Sequence, residues 1–244
     1  QNFIAAGKKC PEGKYYCYTD MYNKMEYYRM LEPYVDNVFM SNSEWCDDKK
    51  YLYMPCPAPV ENARKWVDEK KYDLVFIGNN YNADRLRFIR ELSKKFNVTV
   101  FGERWPADVN CPGSVSYDKY SDVCAQAKIV LGDPAGPICS NSTGQKCLVG
   151  DPDKVWTRGL CRAYNCSKYV ELGGYLSNRL ANTLIAGTAH VVPYVKDIDK
   201  AFSEEELVWY HDSKERDRII KELLANPVRC KKIALAGQRK ILEE

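Results

Sequence analysis

From residue 72 onward, short apolar runs that end in glycine or a polar residue alternate with segments whose apolar positions recur every three or four residues. The first run, Tyr72-Asp73-Leu74-Val75-Phe76-Ile77, stops at Gly78. Consecutive apolar positions fit a strand buried on both faces of a parallel sheet. Residues 83–96 place Leu86, Ile89, Leu92 and Phe96 on one side of a predicted helix, with Arg and Lys opposite. Val98-Thr99-Val100-Phe101, again closed by glycine at Gly102, predicts a second strand. A helix over 117–127 and a strand at Lys128-Ile129-Val130-Leu131-Gly132 make a third unit. The rhythm then stops for about forty residues, far beyond the usual ~2–6 residue connection, so 133–174 reads as an insertion. It resumes with a polar start at Ser177-Asn178-Arg179, a short apolar helix closed by Gly187, and the strand His190-Val191-Val192-Pro193. Leu207-Val208-Trp209-Tyr210 predicts another strand and 214–225 a helix that Asn226-Pro227 breaks; 228–243 predicts the last helix. Ile219, Ile220, Leu223 and Leu224, then Ile233, Leu235 and Ile241, fall at helical spacing and read as core. The fold class is α/β, a doubly wound, Rossmann-like parallel sheet.

Residues 1–60 lack that rhythm. They are rich in Tyr and Cys, with a helix expected over 24–32 and a short strand at Asn37-Val38-Phe39-Met40. In Met54-Pro55-Cys56-Pro57-Ala58-Pro59 three prolines remove backbone donors and fix φ, which predicts an extended connector and a boundary. The chain therefore divides into a small N-terminal portion, 1–60, and a Rossmann-like domain, 61–244, with a Cys-rich insertion at 133–174.

With 244 residues, 45% of them apolar and 28% charged, the chain can bury one large core or two modest ones. The 36 basic and 33 acidic residues leave a net charge of +3, which gives no electrostatic footprint for nucleic acid. No apolar run approaches the roughly 20 residues of a membrane span, and the opening residues lack the regions of a signal peptide, so a cytoplasmic protein is expected. Eleven cysteines form an odd set, and most read as reduced thiols or metal ligands rather than a disulfide framework. The sequons at Asn97, Asn141 and Asn165 match a pattern short enough to arise by chance.

Doubly wound sheets bind ligands beyond the carboxyl ends of their strands, near the switch in strand order. That rule selects the loops 78–82 and 102–116, the insertion up to Ser177, and the loops 196–199 and 211–213. The Ser177-Asn178-Arg179 helix start lies on the same edge, where unpaired N–H groups, a Ser cap and an Arg suit phosphate. Gly78-Asn79-Asn80-Tyr81-Asn82 combines a glycine that lets backbone approach a ligand with three Asn side chains. The same residues also fit an ordinary turn with Asn82 as helix cap. Arg85 is one turn further on and either reaches a diphosphate or is a solvated charge. Neither GxGxxG nor a Walker A sequence is present, which disfavours a dinucleotide or P-loop site.

Ile77-Gly78-Asn79, Arg85 and its helix, Val100-Phe101-Gly102 with Trp105, residues 175–194, and Glu206-Leu207-Val208-Trp209-Tyr210 carry a resemblance in that order. Together they resemble the C-terminal, donor-binding half of GT-B glycosyltransferases, most closely the CgeB-like and viral members of the glycosyl transferases group 1 set. The resemblance implies an enzyme that moves a sugar from a nucleotide-diphosphate donor, a UDP- or GDP-sugar, to an acceptor; no metal or other cofactor is expected. It implies Gly78, Asn79 and Arg85 near the diphosphate and Phe101, Gly102 and Trp105 near the base, with Asn80 also among the donor-binding residues. Ser177 and Arg179 would contact phosphate or sugar, and Asn178 beside them is a donor-binding candidate. Where the family usually has a Glu that pairs with ribose hydroxyls, this chain has Asn182, which keeps hydrogen bonding and loses the charge. The family's first domain holds the acceptor and usually the catalytic base, and residues 1–60 could supply only its tail, so either the chain is a fragment or its first domain is reduced. The base is therefore unassigned; Asp20 is a carboxylate in that region and also reads as a turn residue. The acceptor is open: glycan, protein or modified base. Two alternatives stand beside the enzyme, a non-catalytic nucleotide- or glycan-binding module of the same fold and a glycosyltransferase of modified DNA.

Other groups compete for a role. Cys139, Cys147, Cys161 and Cys166 of the insertion offer four thiolates to zinc, and Cys161 and Cys166 have a suitable spacing while Cys139 and Cys147 do not. A disulfide or independent thiols remain open, and the insertion's place at the ligand edge suits a lid or an acceptor-facing role. His190 opens an apolar strand and reads as packed. His211 beside Asp212 faces a ligand or belongs to a polar strand-to-helix turn. Asp151-Pro152-Asp153 and Asp197-Ile198-Asp199 mimic the DxD metal motif without the strand that should precede it, so no catalytic metal is expected. Glu204-Glu205-Glu206 reads as a solvated helix end.

Overall fold

The structure, a computed structural model, describes residues 16–19, 32–40, 50–53, 58–80, 83–132, 138–139, 169–170, 178–194 and 198–243. Three short strands come first: β1 (Tyr16–Thr19), β2 (Asn37–Met40) and β3 (Tyr51–Tyr53), parallel and in that order. The strand expected at 37–40 is present, and β1 and β3 add to it. The helix expected over 24–32 lies outside the described residues except for Glu32, which opens a 3-10 turn (Glu32–Tyr34). Most of the proline connector is outside them too.

The linker then makes a 3-10 turn (Val60–Asn62) and is tied down before it enters the main sheet. Arg64 Nε meets Asp122 Oδ1 at 2.7 Å. Lys70 Nζ donates to the Ala125 carbonyl at 2.7 Å and lies 3.8 Å from the Trp66 ring centroid. Burial of this ammonium pushes its pKa down to about 8.

The main sheet contains β4 (Tyr72–Ile77), β5 (Val98–Phe101), β6 (Ala127–Leu131), β9 (Ala189–Pro193) and β10 (Val208–Tyr210). A two-stranded antiparallel pair, β7 (Ile138–Cys139) and β8 (Tyr169–Val170), lies within the insertion. The main strands are all parallel, in the order β10-β9-β6-β4-β5. The helices are α1 (Ala83–Ser93), α2 (Tyr117–Ala125), α3 (Asn178–Ile185), the short α4 (Ile198–Ala201), α5 (Ser213–Ala225) and α6 (Pro227–Glu243). The chain runs from β4 outward to β5, returns past β4 to β6, and continues away through β9 to β10. This reversal puts the switch point between β4 and β6, as a doubly wound sheet requires for its ligand crevice.

Strand alternation divides the core into two layers. Leu74, Phe76, Val100, Leu131, Val191 and Tyr210 pack with Ile89 and Leu92 of α1 and with Ile219, Ile220 and Leu223 of α5. On the other face Val75, Ile77, Phe101 and Val130 meet Cys124 of α2, while Val192 meets Leu180 and Leu184 of α3. Helix α6 packs against both α3 and α5.

Several boundaries differ from expectation for identifiable reasons. Helix α1 ends at Ser93, and Phe96 closes a turn through its N–H to the Leu92 carbonyl at 2.9 Å. Helix α2 ends at Ala125 because Ala127, fully buried, pairs with Tyr72 as the first residue of β6. Residues 204–206 form a turn leading into β10 rather than a helix end, with the Glu206 carboxylate accepting the Ser203 N–H at 2.8 Å. Helix α6 starts at Pro227, where the missing N–H costs nothing, and Asn226 Oδ1 accepts the Arg229 N–H at 3.0 Å.

Candidate functional site

The loops after β4 and β5 continue to pair beyond the strands. Gly78 N–H donates to the Phe101 carbonyl at 2.8 Å and Asn80 N–H to the Glu103 carbonyl at 2.9 Å. Gly102, at φ +153°, makes this approach possible: a Cβ there would lie 2.3 Å from the Gly78 carbonyl oxygen. Side chains stitch the same loops together. Asn79 Oδ1 accepts the Glu103 N–H at 2.8 Å, Asn80 Nδ2 donates to the Arg104 carbonyl at 3.0 Å, and Trp105 Nε1 donates to the Gly78 carbonyl at 2.9 Å. Asn80 Oδ1 is buried and makes no hydrogen bond, an acceptor that a ligand or water donor would satisfy.

Two guanidinium groups converge on the carboxyl end of β4. Arg179, in the first turn of α3, has Cζ 5.4 Å from the Phe76 ring centroid and Nη1 3.4 Å from the Ile77 carbonyl. Arg85, in the first turn of α1, has Cζ 5.6 Å from the same centroid and Nη1 2.5 Å from the Asn79 carbonyl. Phe88 and Trp105 contact the Phe76 ring edge-to-face at 6.4 and 5.9 Å, which fixes the ring. Such contacts hold the guanidiniums through the ring's negative face. The site therefore combines two cations with the amino end of α3, whose first N–H groups have no partner within the helix.

Only some of the other sequence-derived candidates lie beside this centre. Gly78 lies under Arg179: a Cβ at this position would be 2.9 Å from Arg179 Nη1. Phe101 contributes only its backbone, because alternation turns its ring into the core against Tyr72 at 5.6 Å. Asn182 is 6% exposed, and its Oδ1 accepts from Asn62 Nδ2 of the linker at 3.5 Å. Asn178 is described by its backbone alone, and Ser177 lies outside the described residues. Of the four insertion cysteines only the backbone of Cys139 is described; Cys147, Cys161 and Cys166 lie outside, as does Asp151-Pro152-Asp153. Asp199 accepts from the Tyr194 hydroxyl at 3.3 Å.

Below Arg179, Tyr120 and Cys124 of α2 gather against Thr183 of α3. Burial raises the Tyr120 phenol, Cys124 adds to this, and the Arg179 charge opposes it. Burial also pushes the Cys124 thiol up to about 12, so it packs rather than reacts. His190 is 1% exposed with Nδ1 3.0 Å from the Val130 carbonyl, and burial pushes its pKa down to about 3. It is the packed histidine the sequence suggested and stays neutral. Asp212 also behaves as the turn reading requires, capping α5 by accepting Lys214 and Glu215 N–H groups at 2.7 and 2.9 Å. Among the described residues no group of three or more His, Cys, Asp or Glu is arranged to hold a metal, and no helix is long and apolar enough to cross a membrane.

Two features have no local sequence signal. Asn62 meets Asn182 across 120 positions, which no local pattern encodes. Tyr194 and His211 stack with centroids 4.7 Å apart; as the residues directly following two neighbouring strands they become visible only once β9 and β10 are known to pair.

Solved structures share this architecture. Sucrose-phosphate synthase (tll1590) from Thermosynechococcus elongatus matches with a TM-score of 0.58 at 11% identity, over 90% of this chain and 56% of that one. A mutant of S. aureus TarM, in complex with fondaparinux, alpha-GlcNAc-glycerol and UDP, gives 0.58 at 12% identity, over 98% of this chain and 50% of that one. HepE from Anabaena, with UDP and glucose, gives 0.61 at 8% identity, over 99% and 69%. At these identities the likeness is one of fold, and the fold is that of the GT-B glycosyltransferases. The chain spans about half the length of the first two structures. A family model described as glycosyl transferase-like matches residues 84–244, and the chain belongs to that family. The search of curated proteins found no match.

Proposed function

We propose that the protein is, or supplies the donor-binding part of, a glycosyltransferase that moves a sugar from a UDP- or GDP-sugar to an acceptor, without a metal. The observation that carries this reading is the convergence of Arg85 and Arg179 on the end of β4, at the switch point of the sheet, in a chain of the glycosyl transferase-like family. A diphosphate seated there would place its charge against two guanidiniums and the amino end of α3. As the bond to the sugar breaks, negative charge grows on the leaving diphosphate, and these fixed groups would stabilise it without reorganising. Gly78, Asn79 and Asn80 would approach the phosphates, and the Gly102–Trp105 turn would face the base. The acceptor would be a glycan, a protein or a modified base, and membership of the CgeB-like and viral subset is part of the same reading. So is a cytoplasmic location, where reducing conditions keep thiols such as Cys111, Cys124 and Cys230 free.

Calorimetry with UDP and GDP tests the diphosphate seat. Arg179→Ala should weaken the nucleotide that binds by more than about tenfold, equivalent to about 1.4 kcal/mol. Unchanged affinity in a folded variant would reject the role.

A second reading, a binding module without transfer, is favoured by Asn182, which offers an uncharged carboxamide already engaged by Asn62. Donor turnover by the intact chain, with and without candidate acceptors, separates the two.

A further inference from the structure

Tyr194 and His211 lie outside the cationic centre that Arg85 and Arg179 form. The parallel pairing of β9 and β10 runs to their last residues, Pro193 with Tyr210, and one residue past β9 the Tyr194 N–H donates to the Tyr210 carbonyl at 2.8 Å. Tyr194 and His211 are therefore neighbours at the carboxyl edge of the sheet. Their rings stack with centroids 4.7 Å apart and planes inclined by 31°. The Tyr194 hydroxyl donates to Asp199 Oδ1 at 3.3 Å, from the first turn of α4. The tyrosine is thus held at both its ring face and its hydroxyl while 36% of it stays exposed, and His211 and Asp199 are exposed beside it.

Position relates this group to the cationic centre. Two residues earlier in each strand, Val192 and Trp209 pack in the layer that contains Leu180 and Leu184 of α3. Side chains alternate along a strand, so Tyr194 and His211 share that face with the helix that carries Arg179. Along the edge, β9 lies two strands from β4. At ~4.8 Å per strand, the Tyr194 backbone is offset sideways from β4 by about 10 Å. A ring attached to a diphosphate at the switch point, or a second sugar approaching it, falls within that distance.

The chemistry of the group selects its ligand. A carboxylate beside the rings repels phosphate, which excludes a second anion seat. An aromatic surface with a carboxylate and a phenol at its rim suits an uncharged ring that has an apolar C–H face and hydroxyls at its edge. We propose that Tyr194 and His211, with Asp199, form a platform for a pyranose ring, supplied by either the donor sugar or a sugar of the acceptor. The stack covers the C–H face of the ring, and Asp199 accepts from its hydroxyls. The stacked tyrosine is already ordered, so binding loses little rotamer freedom there. This assignment rests on the donor-site reading for the position of the diphosphate.

The test compares the intact chain with Tyr194→Ala, His211→Ala, Asp199→Asn and Tyr194→Phe. Calorimetry uses UDP, GDP, UDP-glucose, UDP-N-acetylglucosamine and GDP-mannose; saturation-transfer NMR uses methyl glucosides and short oligosaccharides. A donor-sugar platform predicts that Tyr194→Ala weakens the nucleotide sugar about fivefold or more and leaves the bare nucleotide unchanged, while Tyr194→Phe retains most of the binding. An acceptor platform predicts unchanged nucleotide-sugar affinity and loss of the oligosaccharide signal in Tyr194→Ala and His211→Ala. If the wild type binds no nucleotide, the donor-site reading fails, and the oligosaccharide arm still decides the platform. Equal binding of every sugar ligand by wild type and Tyr194→Ala overturns it, as does an equal loss of bare nucleotide and nucleotide sugar.

Discussion

Gly102 leaves no room for a side chain, since a methyl group there would press into the Gly78 carbonyl. Gly102→Ala should therefore separate the two loops and cost about 3 kcal/mol, read as a shift in the urea midpoint. The same variant should bind nucleotide less well, because Asn79 and Trp105 are aligned through that contact. At this scale much was legible in advance. Glycine after an apolar run marks a strand end, and an Arg in the first turn of a following helix falls on the same edge, which is where the structure holds Gly78, Gly102, Arg85 and Arg179. Phe101 shows the limit. It is adjacent to Gly102 in sequence, yet its ring belongs to the core, because the direction of a side chain follows from strand alternation and the layer that receives it. Asn62 had no sequence signal, since its partner lies across the fold.

Helix α3 has only eight residues, too few for independent stability in water. Its carboxyl end is closed by Gly187 at φ +68°, and Gln238 Nε2 of α6 donates to the Ile185 and Arg64 carbonyls, each at 2.7 Å. One carboxamide thus joins α3, α6 and the linker. Gln238→Ala should cost about 2 kcal/mol by leaving both carbonyls unsatisfied, and hydrogen exchange should show the loss first in the amides of α3. Periodicity and punctuation made the long elements legible: Gly187 and Asn226-Pro227 mark real ends. Local pattern does not set the α2 to β6 boundary, because alanine suits both states and only pairing with Tyr72 decides for the strand. Strands β1 and β3 are short and tyrosine-rich, held by pairing with β2 and not announced by an apolar run.

Alternating units made a parallel sheet legible, but the order β10-β9-β6-β4-β5 depends on contacts between distant segments that local pattern does not encode. One consequence of that order is global. His190 of β9 is enclosed beside β6 and held neutral, with a pKa near 3 against about 6.5 in an unfolded chain. Between these values the unfolded state binds the extra proton, so stability falls as the pH drops from 6.5 toward 3. At pH 5 the loss should be about 2 kcal/mol, above the range where most carboxylates titrate. Urea midpoints at pH 7 and pH 5 should differ accordingly for the wild type, and His190→Gln, with no imidazole to protonate, should lose this part of the difference.

The Trp105 indole carries a different kind of information. Its N–H is bound to the Gly78 carbonyl, and its ring touches the phenyl group that both guanidiniums flank. Indole emission responds to local dipoles and charges, so this protein has an intrinsic optical gauge at the very point where its backbone would meet a diphosphate.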